Sequence, residues 1–240
     1  MCFDDRDRSS RGAAPASASR IASLALLVLL APLAGCGTSE KAEDADAVEV
    51  AKSIQANLER GQKLMSDARA DWDMSNPEEN LQGLPKLIQA EGLFFEARKK
   101  SANSSKPRLA LGNCRSIIGY VYYSHFLKHD DEVRKAEAAK QTPSESAVKE
   151  RDENLAKSRE WFDKANRELE FYVRFLMQQF PNPMVYEQLA TNYEYMDKFA
   201  EAEGMFRAFI ENSQLSRESR KYYEAKVKAM RQKRLDEFEG

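Results

Sequence analysis

Histidine, cysteine and glycine are scarce in this chain, and each shortage removes a class of chemistry. His125 and His129 are the two histidines of 240 residues. Cysteine occurs three times, as Cys2, Cys36 and Cys114. The ten glycines form no phosphate-cradling loop and no nucleophile elbow. Charge of one sign is lacking too: 37 Lys and Arg against 39 Asp and Glu give a net charge of −2. Nucleic-acid binding, which needs a basic stripe, is not expected. Period-two alternation of β-branched residues is rare, which argues against sheet. Long apolar runs are limited to residues 21–35, "IASLALLVLLAPLAG", too short for a comfortable spanning helix.

That run follows Arg6, Arg8, Arg11 and Arg20 and has the shape of an export signal, although Asp4, Asp5 and Asp7 are unusual in such a leader. It ends in "LAGC", residues 33–36, which resembles the lipobox of bacterial lipoproteins. The resemblance implies cleavage after Gly35, lipidation of Cys36 and loss of residues 1–35. Two or more acyl chains hold a protein firmly to a bilayer, because each buried CH₂ contributes about 0.8 kcal/mol. Loss of the leader takes the net charge to −3 and leaves Cys114 without a partner for an intramolecular disulfide. Gly37 lacks the Asp that retains enterobacterial lipoproteins in the inner membrane, so the resemblance favours the outer membrane, facing the periplasm.

Residues 36–46 are small and acidic and read as a flexible tether. From 47 to 240 apolar residues recur at three and four, the period of an amphipathic helix; Ile54, Leu58, Gly61, Met65, Ala68 and Trp72 form the first such stripe. Asn182-Pro183, Thr142-Pro143-Ser144-Glu145, Pro107 and Pro85 mark helix starts. The boundaries predict helices near 47–72, 85–101, 107–140, 143–180, 183–196, 199–212 and 216–238, an all-α stack with short loops.

Three eight-residue segments share one pattern: "AEGLFFEA" (90–97), "SREWFDKA" (158–165) and "AEGMFRAF" (202–209). A small residue, an aromatic four on and an apolar residue three further on give Ala90, Phe94 and Ala97; Ser158, Phe162 and Ala165; Ala202, Phe206 and Phe209. Small residues at this spacing let helices approach while the ring fills the gap. Ahead of the last copy, Tyr186, Leu189, Ala190 and Tyr193 complete a pattern that resembles the tetratricopeptide (TPR) repeat. The resemblance covers one full repeat, 183 to about 215. The middle unit adds Ile118, Gly119 and Tyr122, and the first unit matches only in its second helix. The middle unit also carries an insertion, about 128–157, that is mostly charged, with Val133, Ala136, Ala147, Val148 and Leu155 as a thin apolar seam. It reads either as a projecting helical hairpin or as a mobile, solvated insertion.

The resemblance implies a TPR-like α-solenoid of about three helical hairpins with a C-terminal capping helix. Its first helices would line a concave surface for an extended peptide or partner helix. Carried over to the matching helices, that surface comprises Asn113, Ser116, Tyr120, Tyr123, Glu187, Thr191, Glu194 and Tyr195. Tyr120 and Tyr123 have a second reading, packed beneath the first helix pair. The expectation is a non-catalytic scaffold or assembly factor for envelope protein partners, with no cofactor.

The rival is a ligand- or metal-binding envelope protein. His125 and His129 lie four apart on a predicted helix, a spacing that can seat a metal, but no general-base Glu lies between them. Trp161, Phe162, Phe171, Tyr172, Phe175, Leu176 and Phe180 form an aromatic band that reads as core or as a cofactor or lipid pocket. The last helix, with Tyr223, Val227 and Met230 among many Lys and Arg, reads as a cap or as a basic surface for anionic lipid or an acidic partner.

Overall fold

Alanine, glutamate, lysine and leucine dominate the chain beyond the leader, and these residues lose little freedom in a helix. The computed structural model describes residues 39–70 and 77–239, with side chains for 46–70 and 77–237. Its helices are α1 Ser39–Arg69, α2 Pro77–Gln82, α3 Leu84–Lys100, α4 Ser105–Ala138, α5 Glu145–Phe171, α6 Met184–Tyr195, α7 Phe199–Asn212 and α8 Arg217–Glu239. A short π-helical turn, Tyr172–Leu176, continues α5. Every regular element among the described residues is helical, and none of these helices is long and apolar enough to cross a membrane. The leader 1–35, Cys36 and the start of the tether lie outside the described residues.

Several boundaries differ from expectation for local reasons. Helix α1 begins at Ser39, so residues 39–46, read as tether, continue the helix; Glu, Lys and Ala favour it. The stretch between the helices expected at 47–72 and 85–101 contains the extra helix α2, and Pro85 falls in the first turn of α3. The box expected at Thr142 and Glu145 is replaced by Ser144, whose hydroxyl accepts from the Ala147 amide at 3.1 Å. The helix expected to run to 180 gives way at Tyr172 to the π-turn. Helices α4 and α6 end alike, with Lys140 (φ 54°) and Asp197 (φ 59°) in the left-handed region. Gln141 N–H donates to Ala136 O and Lys198 N–H to Tyr193 O, both at 2.9 Å, which closes two Schellman caps without glycine.

Consecutive helices pack on one another, α3 on α4, α4 on α5, α6 on α7 and α7 on α8, while α4 also meets α6. The three repeated segments lie at the centre of this packing. Ala90, Phe94, Ala97, Ser158, Phe162, Ala165, Ala202, Phe206 and Phe209 are all buried. Two of the rings press against glycines of earlier helices, Gly61 of α1 and Gly119 of α4. A Cβ at Gly61 would stand 2.5 Å from Phe94, and one at Gly119 would stand 2.8 Å from Phe162. The first unit therefore carries a partner for its aromatic in the first helix, which the match to the second helix alone left unseen. The insertion is helical: α4 and α5 run antiparallel to the turn at 139–144, and Val133 is buried between them.

Polar groups tie the helices in register. Arg108 donates to Glu168 at 2.6 Å, both buried, and Arg98 and Arg115 flank the same carboxylate at 3.4 and 3.5 Å. This joins α3, α4 and α5. The Arg108 guanidinium also lies 3.5 Å from the centre of the Phe171 ring. Burial pulls its pKa down, and Glu168 works against that fall. Asn192 of α6 donates to Ser116 of α4 at 2.9 Å and to Asn166 of α5 at 2.7 Å, a satisfied buried network at a three-helix junction.

Candidate functional site

Two clefts run along the face formed by α1, α4 and α6. One, of about 480 Å³, lies between α1 and α4 and is lined by Gln55, Leu58, Gln62, Met65, Phe94, Lys106, Leu109, Ala110 and Asn113. The other, of about 290 Å³, lies between α4 and α6 and is lined by Leu109, Asn113, Asn182, Met184, Val185, Glu187, Gln188 and Thr191. Leu109 and Asn113 belong to both, so the two clefts meet on one turn of α4. Their chemistry is uniform: an apolar floor, a rim of side-chain amides and few charges. Such a surface suits a polypeptide, whose amides donate and accept while its apolar side chains seek the floor.

The residues expected on this face separate into three groups. Asn113, Glu187 and Thr191 line the cleft between α4 and α6. Ser116 lies beneath that surface. It is 2% exposed, donates to Gly112 O at 3.1 Å and accepts from Asn192, so its role is internal. Tyr120, Tyr123 and Tyr195 form a half-buried aromatic cluster farther along α4. Ring centres of Tyr120 and Tyr195 stand 5.7 Å apart, and those of Tyr123 and Tyr195 stand 4.6 Å apart. Burial, then the neighbouring Tyr120 and Glu194, pushes the Tyr195 phenol up to about 12, so it stays a hydrogen-bond donor. The rings of Tyr120 and Tyr123 both lie against Tyr195 of α6.

Helix α8 engages Glu187 and the one remaining position, Glu194. Glu187 accepts a hydrogen bond from the Tyr223 hydroxyl, and burial together with that bond raises the phenol's pKa. Glu194 holds Lys226 at 2.9 Å and Lys233 at 3.7 Å. Behind them Glu203 of α7 meets Arg207, Arg231 and Arg234 at 2.5, 3.1 and 3.4 Å. Burial works to raise the Glu203 pKa, but the Arg231 and Arg207 hydrogen bonds override it and hold the carboxyl below its ordinary value. Lys226, Arg231, Lys233 and Arg234 of α8 are thus paired with carboxylates of α6 and α7.

The histidines are occupied structurally. His125 Nε2 stands 2.6 Å from the Pro77 carbonyl, which ties α4 to α2. His129 is flanked by Glu132 at 3.2 Å and Glu150 at 3.0 Å, which ties α4 to α5. Among the described residues no group of three or more His, Cys, Asp or Glu is arranged to hold a metal ion. Cys114 is buried, near the Leu87 carbonyl at 3.4 Å, and burial first, then Glu91, pushes its thiol up to about 12, far from a nucleophile's range. The aromatic band divides: Phe162, Tyr172 and Leu176 are core, whereas Phe175 and Phe180 are 55% and 49% exposed.

The Arg98, Arg108, Arg115 and Glu168 cluster, the Asn192 network and the Gly61 contact were not read from the sequence. The arginine cluster has one sequence signal, that no carboxylate occurs from Ala97 to His129 while three arginines do. No protein-family model matches the chain, and neither a curated protein nor a solved structure matches it.

Proposed function

We propose that this chain is a bacterial lipoprotein, anchored through Cys36, whose helices form a TPR-like α-solenoid that binds an envelope protein without catalysis. The observation that carries the reading is the pair of clefts meeting at Leu109 and Asn113, on the face made by α1, α4 and α6. These are the first helices of the three units in the repeat reading, the face on which such solenoids hold an extended segment. The buried Phe94, Phe162 and Phe206, each on the second helix of its pair, support the same assignment. The lipobox "LAGC" supports the anchor, and the Gly37 that follows supports an outer-membrane, periplasm-facing location.

Two measurements separate the halves of this proposal. The mass of the N-terminal peptide of protein purified from its membrane reads the anchor: acylated Cys36 is expected, and an unmodified or uncleaved leader sinks that half. A photo-crosslinker placed in living cells at Asn113 and at Thr191 reads the groove. It should capture one defined set of envelope proteins, lost when Gln62→Arg and Gln188→Arg fill the clefts in a protein that remains folded. Capture that survives the filling, or no specific capture, rejects the groove.

A further inference from the structure

The geometry points to a second copy of this chain as a partner: the acidic start of α1 in one copy packs on an exposed aromatic knuckle of the other, and the reverse. Helix α1 outruns the body it packs on. Lys100, at the end of α3, donates to Ser53 at 2.7 Å, and every residue from Asp46 to Lys52 is exposed. A straight helix from Glu40 to Ser53 adds an overhang of about 20 Å. The apolar stripe of Ile54, Leu58 and Gly61 continues along it through Ala47, Val50 and Ala51, with Val48 beside them. Val48 and Val50 are 52% and 43% exposed, and among the described residues nothing covers that face.

A complementary apolar surface stands at the same end. Phe175, Phe180 and Met184, at the π-turn and the start of α6, are 55%, 49% and 56% exposed. This knuckle is built rather than frayed. Phe171 meets Phe175 at 4.7 Å beside the Arg108 guanidinium, and the Tyr172 hydroxyl donates to the Phe180 carbonyl across the turn. Arg108 also donates to the Ala102 carbonyl at 2.9 Å, so the loop after α3, beside the α1 overhang, lies at the knuckle end of α5. Because α1 is one continuous helix, its start cannot fold back onto its own knuckle. It can reach only that of another copy.

Charge selects this pairing over the alternatives. Residues 40–52 carry five carboxylates and two lysines, so two α1 starts repel one another. Residues 171–186 carry Arg174 and no carboxylate, so two knuckles have no charge to join them. Near the knuckle Lys99 is held by Glu96 and Arg108 by Glu168, but Lys100, Lys106 and Arg174 have no carboxylate within 4 Å among the described residues. Asp46 and Glu49 on the overhang likewise have no cation there. Cross-pairing alone brings unlike charges and both apolar faces together. Exposed ion pairs contribute little by themselves, so the apolar faces supply the attraction and the charges its register. With overhang and knuckle at one end, a twofold axis makes the contact twice. It needs neither the Cys36 anchor nor an occupant in the clefts.

Residues 40–240 form one compact unit that contains both cores, so they are tested without leader or lipid. Sedimentation equilibrium reads the mass. A dimer is expected, and it should weaken with added salt because its charges are exposed. Phe175→Ser with Met184→Ser should weaken it about tenfold or more, and so should Asp46→Lys with Glu49→Lys, or Lys100→Glu with Lys106→Glu. All four charge reversals in one chain should restore the dimer, because unlike charges then meet again. The substituted side chains are exposed, and circular dichroism checks that the variants stay helical. A monomer at every concentration, a dimer unchanged by Phe175→Ser with Met184→Ser, or charge reversals that do not compensate each other overturns the inference and leaves the anchor and the groove as proposed.

Discussion

The two halves of the α4–α5 hairpin are made of the same two helices and are held together in different ways. In the inner half, Gly112 and Gly119 let α5 approach until Leu169 and Phe162 touch the α4 backbone, and Leu111, Ile118 and Val121 fill the space around them. In the outer half Val133 is the buried aliphatic, and the contact continues through His129 with Glu150 and through half-buried Ala136, Ala147, Val148 and Leu155. Surface ion pairs such as Arg134 with Asp130 and Lys135 with Asp131 lie within one helix and contribute little to joining two. The contrast teaches that helicity and tertiary stability separate along a single pair of helices. The inner half is core, and the outer half is an arm with its own weak seam.

The largest expected effect breaks the inner half. Phe162→Ala removes a ring that is 1% exposed and opens a cavity beside Gly119, at a cost of about 3–5 kcal/mol, read as a shift in the urea midpoint of the whole domain. Loss of helix from the outer arm alone would show that the inner half is not the common core. Glu168→Ala should come close behind. It strands Arg108, which is 4% exposed, at a cost of about 3–5 kcal/mol, whereas replacing Arg108 and Glu168 together by apolar residues should recover much of that loss. A double variant no better than Glu168→Ala would mean that the pair is not buried as a unit.

How much of this was legible follows from the same contrast. Helix positions, the three buried segments around Phe94, Phe162 and Phe206, and the thin seam of the insertion follow from local periodicity, and periodicity is written in sequence. The arrangement of helix on helix is not. Gly61 is an ordinary member of an apolar stripe until Phe94 is seen to occupy its missing side chain. Ser116 falls at a groove position by spacing, yet Asn192, far along the chain, draws its hydroxyl inside. Charges mislead similarly: the basic residues of α8 look free for a partner, but Glu194 and Glu203 already hold several of them. Spacing along a helix gives its face, and only long-range contacts decide what covers that face.

Intermediate effects test the close approach itself. Gly119→Ala places a Cβ 2.8 Å from Phe162, and Gly61→Ala places one 2.5 Å from Phe94. Each should destabilise by about 1–3 kcal/mol through overpacking, although alanine is the better helix former. Gly204→Ala meets nothing within 4 Å and should instead stabilise slightly, by about 0.5–1 kcal/mol. Equal responses at the three sites would refute close packing as the reason for the first two glycines.

The smallest effect lies at the tip of the outer arm. Lys140 adopts φ 54° to close the cap of α4, a conformation that crowds any side chain bearing a Cβ. Lys140→Gly relieves that crowding while adding freedom to the unfolded chain, and the balance should favour the folded arm by about 0.5–1 kcal/mol. Because the arm is joined to the core by a thin seam, the gain should be local. Amide exchange is expected to slow at residues 130–150 while the midpoint of global unfolding stays fixed. Asp197→Gly is the inner counterpart, at the same cap of α6, and it should differ in both respects. Aspartate tolerates the left-handed region better than lysine, and Asp197 also holds Arg159 at 2.7 Å, so little or no gain is expected there. Equal slowing of exchange throughout the domain on Lys140→Gly would mean that arm and core open together, and the distinction between the two halves would fall with it.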